Sequence, residues 1–132
     1  YFFDNALIWA LDGFKDREII AASGEIGHYF ENLMVTDFIK WGINLEKPPS
    51  FYFWQKSHAS EIDMVITTKG ITIPVEIKYS CVWDNKYLHP IDMFKEQHKG
   101  KNLKIPFSLI IYRGEFMMPR KDVFCLPVWL FC

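Results

Sequence analysis

Apolar residues along this chain recur with two different periods, and the changes between them divide it into elements. Tyr1, Phe2 and Phe3 are strand-like, and Asp4 and Asn5 can cap a short helix over residues 6–11 that Asp12 and Gly13 stop. The stretch around Asp16, Arg17 and Glu18 is polar and reads as a loop or the entry to the next helix. From Ser23-Gly24 to Trp41 the period is helical. Ile26, Phe30, Leu33, Met34 and Trp41 form the expected buried stripe, Ser23 is the expected N-cap, and Gly42 is the expected stop. Glu31 falls on the flank of that stripe, near Val35 and Phe38. After Lys47-Pro48-Pro49-Ser50, the run Phe51, Tyr52, Phe53 and Trp54 predicts a strand buried on both faces, and residues 57–60 a turn. Residues 60–80 alternate as two strands joined tightly at Lys69-Gly70. A second helix is expected over residues 90–99, with Ile91 and Phe94 inward and Gly100 ending it. The continuous apolar run 107–112 suits a strand covered on both sides, and Arg113-Gly114 turns it out. Residues 123–131 are interrupted by Pro127, which predicts an edge strand or a docked tail. The expected order is helix, three-stranded meander, helix, strand. That is an α/β fold: one domain over residues 1–132, with a mixed sheet flanked by helices.

Composition changes this picture little. Half of the 132 residues are apolar and 17% are aromatic, enough for one substantial core. The net charge of −1 lacks the basic surplus common in nucleic-acid binders, which counts mildly against DNA as a partner without excluding a local patch. Lys95, Lys99, Lys101 and Lys104 form one basic cluster, read either as a phosphate-contacting edge or as a solvated helix end. Cys81, Cys125 and Cys132 have no C-x-x-C spacing, and His89 and His98 pair with none of them. A disulfide framework or a zinc site is therefore not expected, and a reducing, cytoplasmic setting is. No run reaches the roughly 18 apolar residues of a membrane span. The chain opens on Tyr1 in an apolar segment and reads as a piece of something longer.

The chemistry-bearing residues gather on the hairpin. Residues two apart on a strand share a face, so Glu76 and Lys78 project together while Val75, Ile77 and Tyr79 face the other way. Pairing around Lys69-Gly70 brings Asp63 beside Glu76. An acid-x-Lys triplet alone is weak, since a chain this long holds about one by chance, and Asp84-Asn85-Lys86 is a second copy in a polar loop. Context favours the first. Metal-assisted phosphodiester cleavage needs hard oxygen ligands and a group that orients water. Asp63, Glu76 and the carbonyl of Ile77 can ligate Mg²⁺ or Mn²⁺, Lys78 can face the attacking water, and Glu31 can complete the acidic set from the helix. The plainer reading is a wet polar face on which Glu76 and Lys78 pair with each other. His28, one turn before Glu31, and His58, in the turn, read as surface histidines, and Gln97 on the second helix is within conceivable reach of the site.

The order Glu31, Asp63, Glu76-Ile77-Lys78 resembles the PD-(D/E)XK, restriction-endonuclease-like superfamily. More closely, the chain is similar to the C-terminal domain of a family of prokaryotic P-loop (AAA-type) ATPases. The similarity runs through residues 1–7, Gly27-His28-Tyr29-Phe30-Glu31-Asn32, Glu61-Ile62-Asp63-Met64-Val65-Ile66, residues 75–80 and Leu126-Pro127-Val128-Trp129. It implies a restriction-endonuclease-like mixed sheet and a nuclease-like site with Glu31, Asp63, Glu76 and Lys78 as catalytic residues. It further implies Mg²⁺ or Mn²⁺ on Asp63, Glu76 and Ile77, DNA as substrate, and an ATPase portion of the parent chain as partner. Two departures stand out. Gln55 and Lys56 follow the aromatic strand where members often have arginine, and no G-x-x-x-x-G-K-[ST] is present, so no P-loop nucleotide site is expected here. The alternative of a different class is a non-catalytic module that docks nucleic acid or protein for the ATPase. Self-association through the aromatic C-terminal segment is a further expectation.

Overall fold

The turn at Lys69-Gly70 sets the register on which the rest depends. Both residues have positive φ, 48° and 77°, as a two-residue hairpin connection requires. Glycine adopts this freely, so only Lys69 bears a steric cost. In the computed structural model, which describes residues 24–57 and 60–131, the turn joins β2 (Ser60–Thr68) to β3 (Ile71–Lys78). Pairing runs from Thr68↔Ile71 to Met64↔Val75. The expected elements over residues 1–23, the Ser23 cap, His58 and Cys132 lie outside the described residues.

The remaining elements are α1 (Ile26–Ile43), β1 (Ser50–Ser57), α2 (Leu88–His98), β4 (Ser108–Tyr112), β5 (Met117–Arg120) and β6 (Val123–Pro127). They build a six-stranded sheet in the order β1-β2-β3-β4-β6-β5. β3–β4 and β4–β6 are parallel and the other pairs antiparallel, so the sheet is mixed and the fold α/β, as expected. Neighbouring residues on a strand point to opposite faces, and Ile110 and Ile111 accordingly enter different cores. One core joins Met34, Val35 and Phe38 of α1 to Met64, Val75, Ile77 and Ile111. The other joins Ile91 and Phe94 of α2 to Ile62, Ile110, Val123 and Cys125. Among the described residues, the sheet is therefore covered by one helix on each side.

Several expectations need correction. α1 buries Tyr29, Asn32, Met34, Val35, Thr36, Phe38 and Gly42, whereas Leu33 and Trp41 are exposed. The burial phase was obscured because two polar residues sit inside: Thr36 satisfies its own hydroxyl by donating to the carbonyl of Asn32 at 2.8 Å, so it can be buried at little cost. Gly42 does not stop the helix, which continues to Ile43. Its missing side chain instead admits the Phe51 ring, since a Cβ there would lie 2.7 Å from Phe51 Cζ. Gly42→Ala is expected to lower stability by about 1 kcal/mol, because crowding (typically 1–3 kcal/mol) outweighs the helix-propensity gain. Thermal unfolding reads this, and an unchanged midpoint would mean that the ring swings aside freely.

β1 is not buried on both faces. Among the described residues it is the sheet edge, with Tyr52 and Phe53 more than half exposed, while Trp54 packs edge-on against Phe94. The segment containing Pro127 is not an edge strand. β6 lies between β4 and β5, and Pro127 is its last residue, where the chain leaves the ladder for a single 3-10 turn (Val128–Leu130). The short β5, with its Pro119, supplies the edge that β6 was expected to form. Among the described residues, no helix is long and apolar enough to cross a membrane.

Candidate functional site

A break in strand pairing creates the site. β1 advances two residues from Tyr52 to Trp54 while β2 advances three, from Val65 to Ile62. The extra residue is a β-bulge at Asp63-Met64. Its effect is visible in the packing: Ile62 and Met64, two apart, would share a face in a regular strand, yet they enter opposite cores. Beyond Met64↔Val75 the β2–β3 pairing lapses. There the Asp63 carboxylate takes the place of a backbone acceptor, and Ile77 N–H donates to its Oδ2 at 2.6 Å. The N–H and C=O of one strand residue point the same way, so the Ile77 carbonyl also faces the side from which β2 has departed.

Four of the residues expected from sequence meet at this point. Glu31 comes from α1, Asp63 from β2, and Glu76 and Lys78 from β3. Asp63 and Glu76 are each 2% exposed, whereas Glu31 and Lys78 are 21% and 31% exposed on their side chains, so the cluster opens to solvent on one side only. Lys78 Nζ lies 2.5 Å from Glu76 Oε1 and 3.7 Å from Asp63 Oδ2. Glu31 hydrogen-bonds Asp63. His28 stands on the solvent side, its Nδ1 3.7 Å from Glu31 Oε2 and its side chain 76% exposed.

Crowding the acids together changes their protonation. Burial, then the hydrogen bond to Asp63 and the Asp63 charge, push the Glu31 carboxyl up to about 9 against the pull of Lys78. Glu31 therefore holds a proton at neutral pH and donates it to Asp63. Burial and the Asp63 charge likewise raise Glu76 to about 8, again against Lys78. Burial works against the Lys78 ammonium, but Asp63, Glu76 and Glu31 outweigh it and hold its pKa above the ordinary lysine value. Among the described residues, Glu76 Oε2 is buried with no hydrogen-bond partner. An orphaned carboxylate oxygen is costly unless something else occupies its lone pairs.

A divalent ion suits that donor set. Mg²⁺ takes hard oxygens and is commonly held by one or two carboxylates with water completing the octahedron, without an all-protein cage. Glu76, Asp63 and the Ile77 carbonyl supply such donors. Among the described residues no group of three or more His, Cys, Asp or Glu side chains is placed to hold a metal ion, so the fit rests on two carboxylates and one backbone carbonyl.

Other sequence candidates fall elsewhere. Asp84-Asn85-Lys86 is a capping loop, in which Asp84 accepts from Lys86 N–H and pairs with its ammonium at 2.9 Å. Gln97 is exposed on α2. The lysine cluster is mixed in sign: Lys95 pairs with Asp122 at 2.7 Å and Lys99 with Glu96 at 3.8 Å. An apolar groove of about 510 Å³, lined by Met34, Asp37, Phe38, Trp41, Leu130 and Phe131, contains none of the four site residues. Sequence reading passed over Arg113, whose guanidinium lies 4.3 Å from the centre of the Tyr79 ring beside the site. The signal available was an arginine ending an otherwise apolar strand.

No curated protein and no solved structure matches the chain. The model of one family, described as a domain of unknown function (DUF4143), matches residues 26–131, which contain all of the site residues above, and the chain belongs to that family.

Proposed function

We propose that this domain is a metal-dependent phosphodiesterase of the PD-(D/E)XK, restriction-endonuclease-like type, acting on DNA. The observation that carries this reading is the convergence of Glu31, Asp63, Glu76 and Lys78 from three elements on a bulged strand end, with one Glu76 oxygen left unpartnered. A wet polar face would not bury two carboxylates at 2% exposure. When bound, Mg²⁺ or Mn²⁺ would polarise the scissile phosphate and make water more acidic.

The chain's own groups have separable tasks in this reading. Asp63 and Glu76 hold the ion, with the Ile77 carbonyl on the same side. Lys78 exchanges its short contact with Glu76 for the attacking water and the developing negative charge, staying protonated because Asp63 remains close. Glu31 keeps Asp63 in place by donating to it. The same reading makes the domain the C-terminal part of a cytoplasmic chain bearing a P-loop ATPase.

The test pairs calorimetry with a plasmid-nicking assay. Mg²⁺ or Mn²⁺ is expected to bind, and supercoiled DNA to be nicked only when one of them is present. If neither ion binds, the catalytic reading is lost. DNA or partner binding that persists in Glu76→Ala, with no cutting by the wild type, would then favour a non-catalytic docking module.

A further inference from the structure

We infer that Arg113, laid against Tyr79 at the end of β4, is a phosphate-gripping residue that positions a nucleic-acid backbone beside the acidic cluster. This deepens the phosphodiesterase reading and rests on it for the identity of the ligand. The described residues contain two arginines, used differently. Arg120 is committed to Asp92, its Nη2 3.0 Å from Oδ2 and its Nη1 on Oδ1. Arg113 makes no ion pair among the described residues, and its guanidinium rests on the Tyr79 ring at 4.3 Å while the residue stays exposed. An unneutralised guanidinium spread over an aromatic face keeps its N–H fork directed outward and loses little freedom on binding an oxyanion.

Its placement is fixed from several sides. The parallel ladder of β3 and β4 ends at Lys78↔Tyr112, and Arg113 N–H continues it by donating to the Ser80 carbonyl at 3.1 Å. Arg113 thus leaves the sheet one residue after the partner of Lys78. Gly114 then turns where no side chain fits, since a Cβ there would lie 2.4 Å from the Tyr112 ring and 2.8 Å from the Cys81 carbonyl. Tyr112 closes the turn by donating its hydroxyl to the Glu115 carbonyl at 2.5 Å. The Tyr79 ring is braced edge-on by Phe30 at 5.5 Å, and Phe30 directly precedes Glu31 on α1. Contacts therefore run from Arg113 through Tyr79 to Phe30, the neighbour in sequence of Glu31. The cluster alone is a poor place for a polyanion to land, because Lys78 is already spent on Asp63 and Glu76. A guanidinium with no ion pair among the described residues, one position past the strand partner of Lys78, supplies the missing attraction.

The experiment measures binding of a short fluorescein-labelled DNA duplex by anisotropy over a salt series, in Ca²⁺ or EDTA to suppress cutting. Wild type, Arg113→Ala, Arg113→Lys and Lys69→Ala are compared, the last altering a lysine at the opposite end of the hairpin. Arg113→Ala is expected to weaken binding about tenfold and reduce the salt slope by about one. Arg113→Lys should keep the slope and recover only part of the affinity, and Lys69→Ala should change neither. If Arg113→Ala matches wild type in affinity and slope, or if wild type binds no duplex, the inference is overturned. Metal calorimetry on the same proteins separates the two ideas: intact metal binding with an inert Arg113 sinks only the inference. Arg113-dependent DNA binding without metal binding upholds the inference and sinks the catalytic reading.

Discussion

Asp63→Asn should abolish Mg²⁺-dependent DNA cutting, by on the order of a thousandfold or more, while the protein remains folded. The amide is chosen for a physical reason. Asp63 is 2% exposed, and its Oδ2 accepts the Ile77 N–H at 2.6 Å. An alanine would leave that buried donor unsatisfied, at a cost of about 1–3 kcal/mol, and would confuse a folding defect with a chemical one. Asparagine keeps an acceptor oxygen for Ile77 while removing the negative charge and turning the second oxygen into an N–H₂ donor, to which the Glu31 contact must readjust. The rate loss follows from the several kcal/mol of charge stabilisation expected of a metal held at this position. The measurements are nicking rate, metal binding by calorimetry, and unfolding midpoint on one preparation. A variant that folds normally and cuts at the wild-type rate would remove Asp63 from the chemistry and, with it, the proposed function.

The second large effect concerns pH. Folding raises the Glu31 and Glu76 carboxyls from the ordinary value of 4.5 to about 9 and about 8. Between those limits the folded chain keeps protons that the unfolded chain releases, so stability falls as pH rises through the window. Below about pH 4.5 the penalty is absent, and above the folded values it is complete. Metal-free wild type is therefore expected to melt at progressively lower temperature from pH 5 to pH 8. Glu76→Gln, which removes one charge from a buried cluster, should flatten that decline. At pH 8 it should melt several degrees higher than wild type, corresponding to about 1–3 kcal/mol. A protein improved by losing a buried acid is one in which the acid serves something other than stability. Parallel melting curves for the two proteins across this range would show instead that the cluster is already relieved by solvent.

The parts of this site that could be read from sequence are those set by local geometry. The Lys69-Gly70 turn fixes the pairing that brings Asp63 to Glu76, and a period of two places Glu76 and Lys78 together. Glu31 was legible as an acid on the flank of a buried stripe, even though only Met34 and Phe30 of that stripe pack into the core while Leu33 and Trp41 are exposed. Leu33 and Trp41 looked like core because they are apolar, yet the buried face includes polar Asn32 and Thr36, the latter satisfied by donating to carbonyls of its own helix. The bulge at Asp63-Met64 leaves no mark in composition, since it is defined by a mismatch between two strands and not by either one. The position of β6 was equally hidden. Pro127 is incompatible with a central ladder only if it lies inside the strand, and a boundary shift of one residue removes the conflict. Arg113 showed in sequence only as a charge ending an apolar strand, and its place against Tyr79 follows from the parallel pairing of β3 with β4.

Among the described residues the sheet has two unpaired margins, and these bear on how this domain behaves when crowded. An open strand edge is a template for another chain, and β1 presents such an edge with aromatic residues on it. Yet its pairing with β2 slips a second time between Gln55 and Ser57, leaving Lys56 as an extra, charged and exposed residue that distorts the margin. At the far side β5 is only four residues long, contains Pro119, ends in Arg120 and has its own register slip. Both margins thus carry the features that make edge-to-edge addition unfavourable. Recruitment of a further strand, the usual route from an open sheet to a fibril, is obstructed at each end.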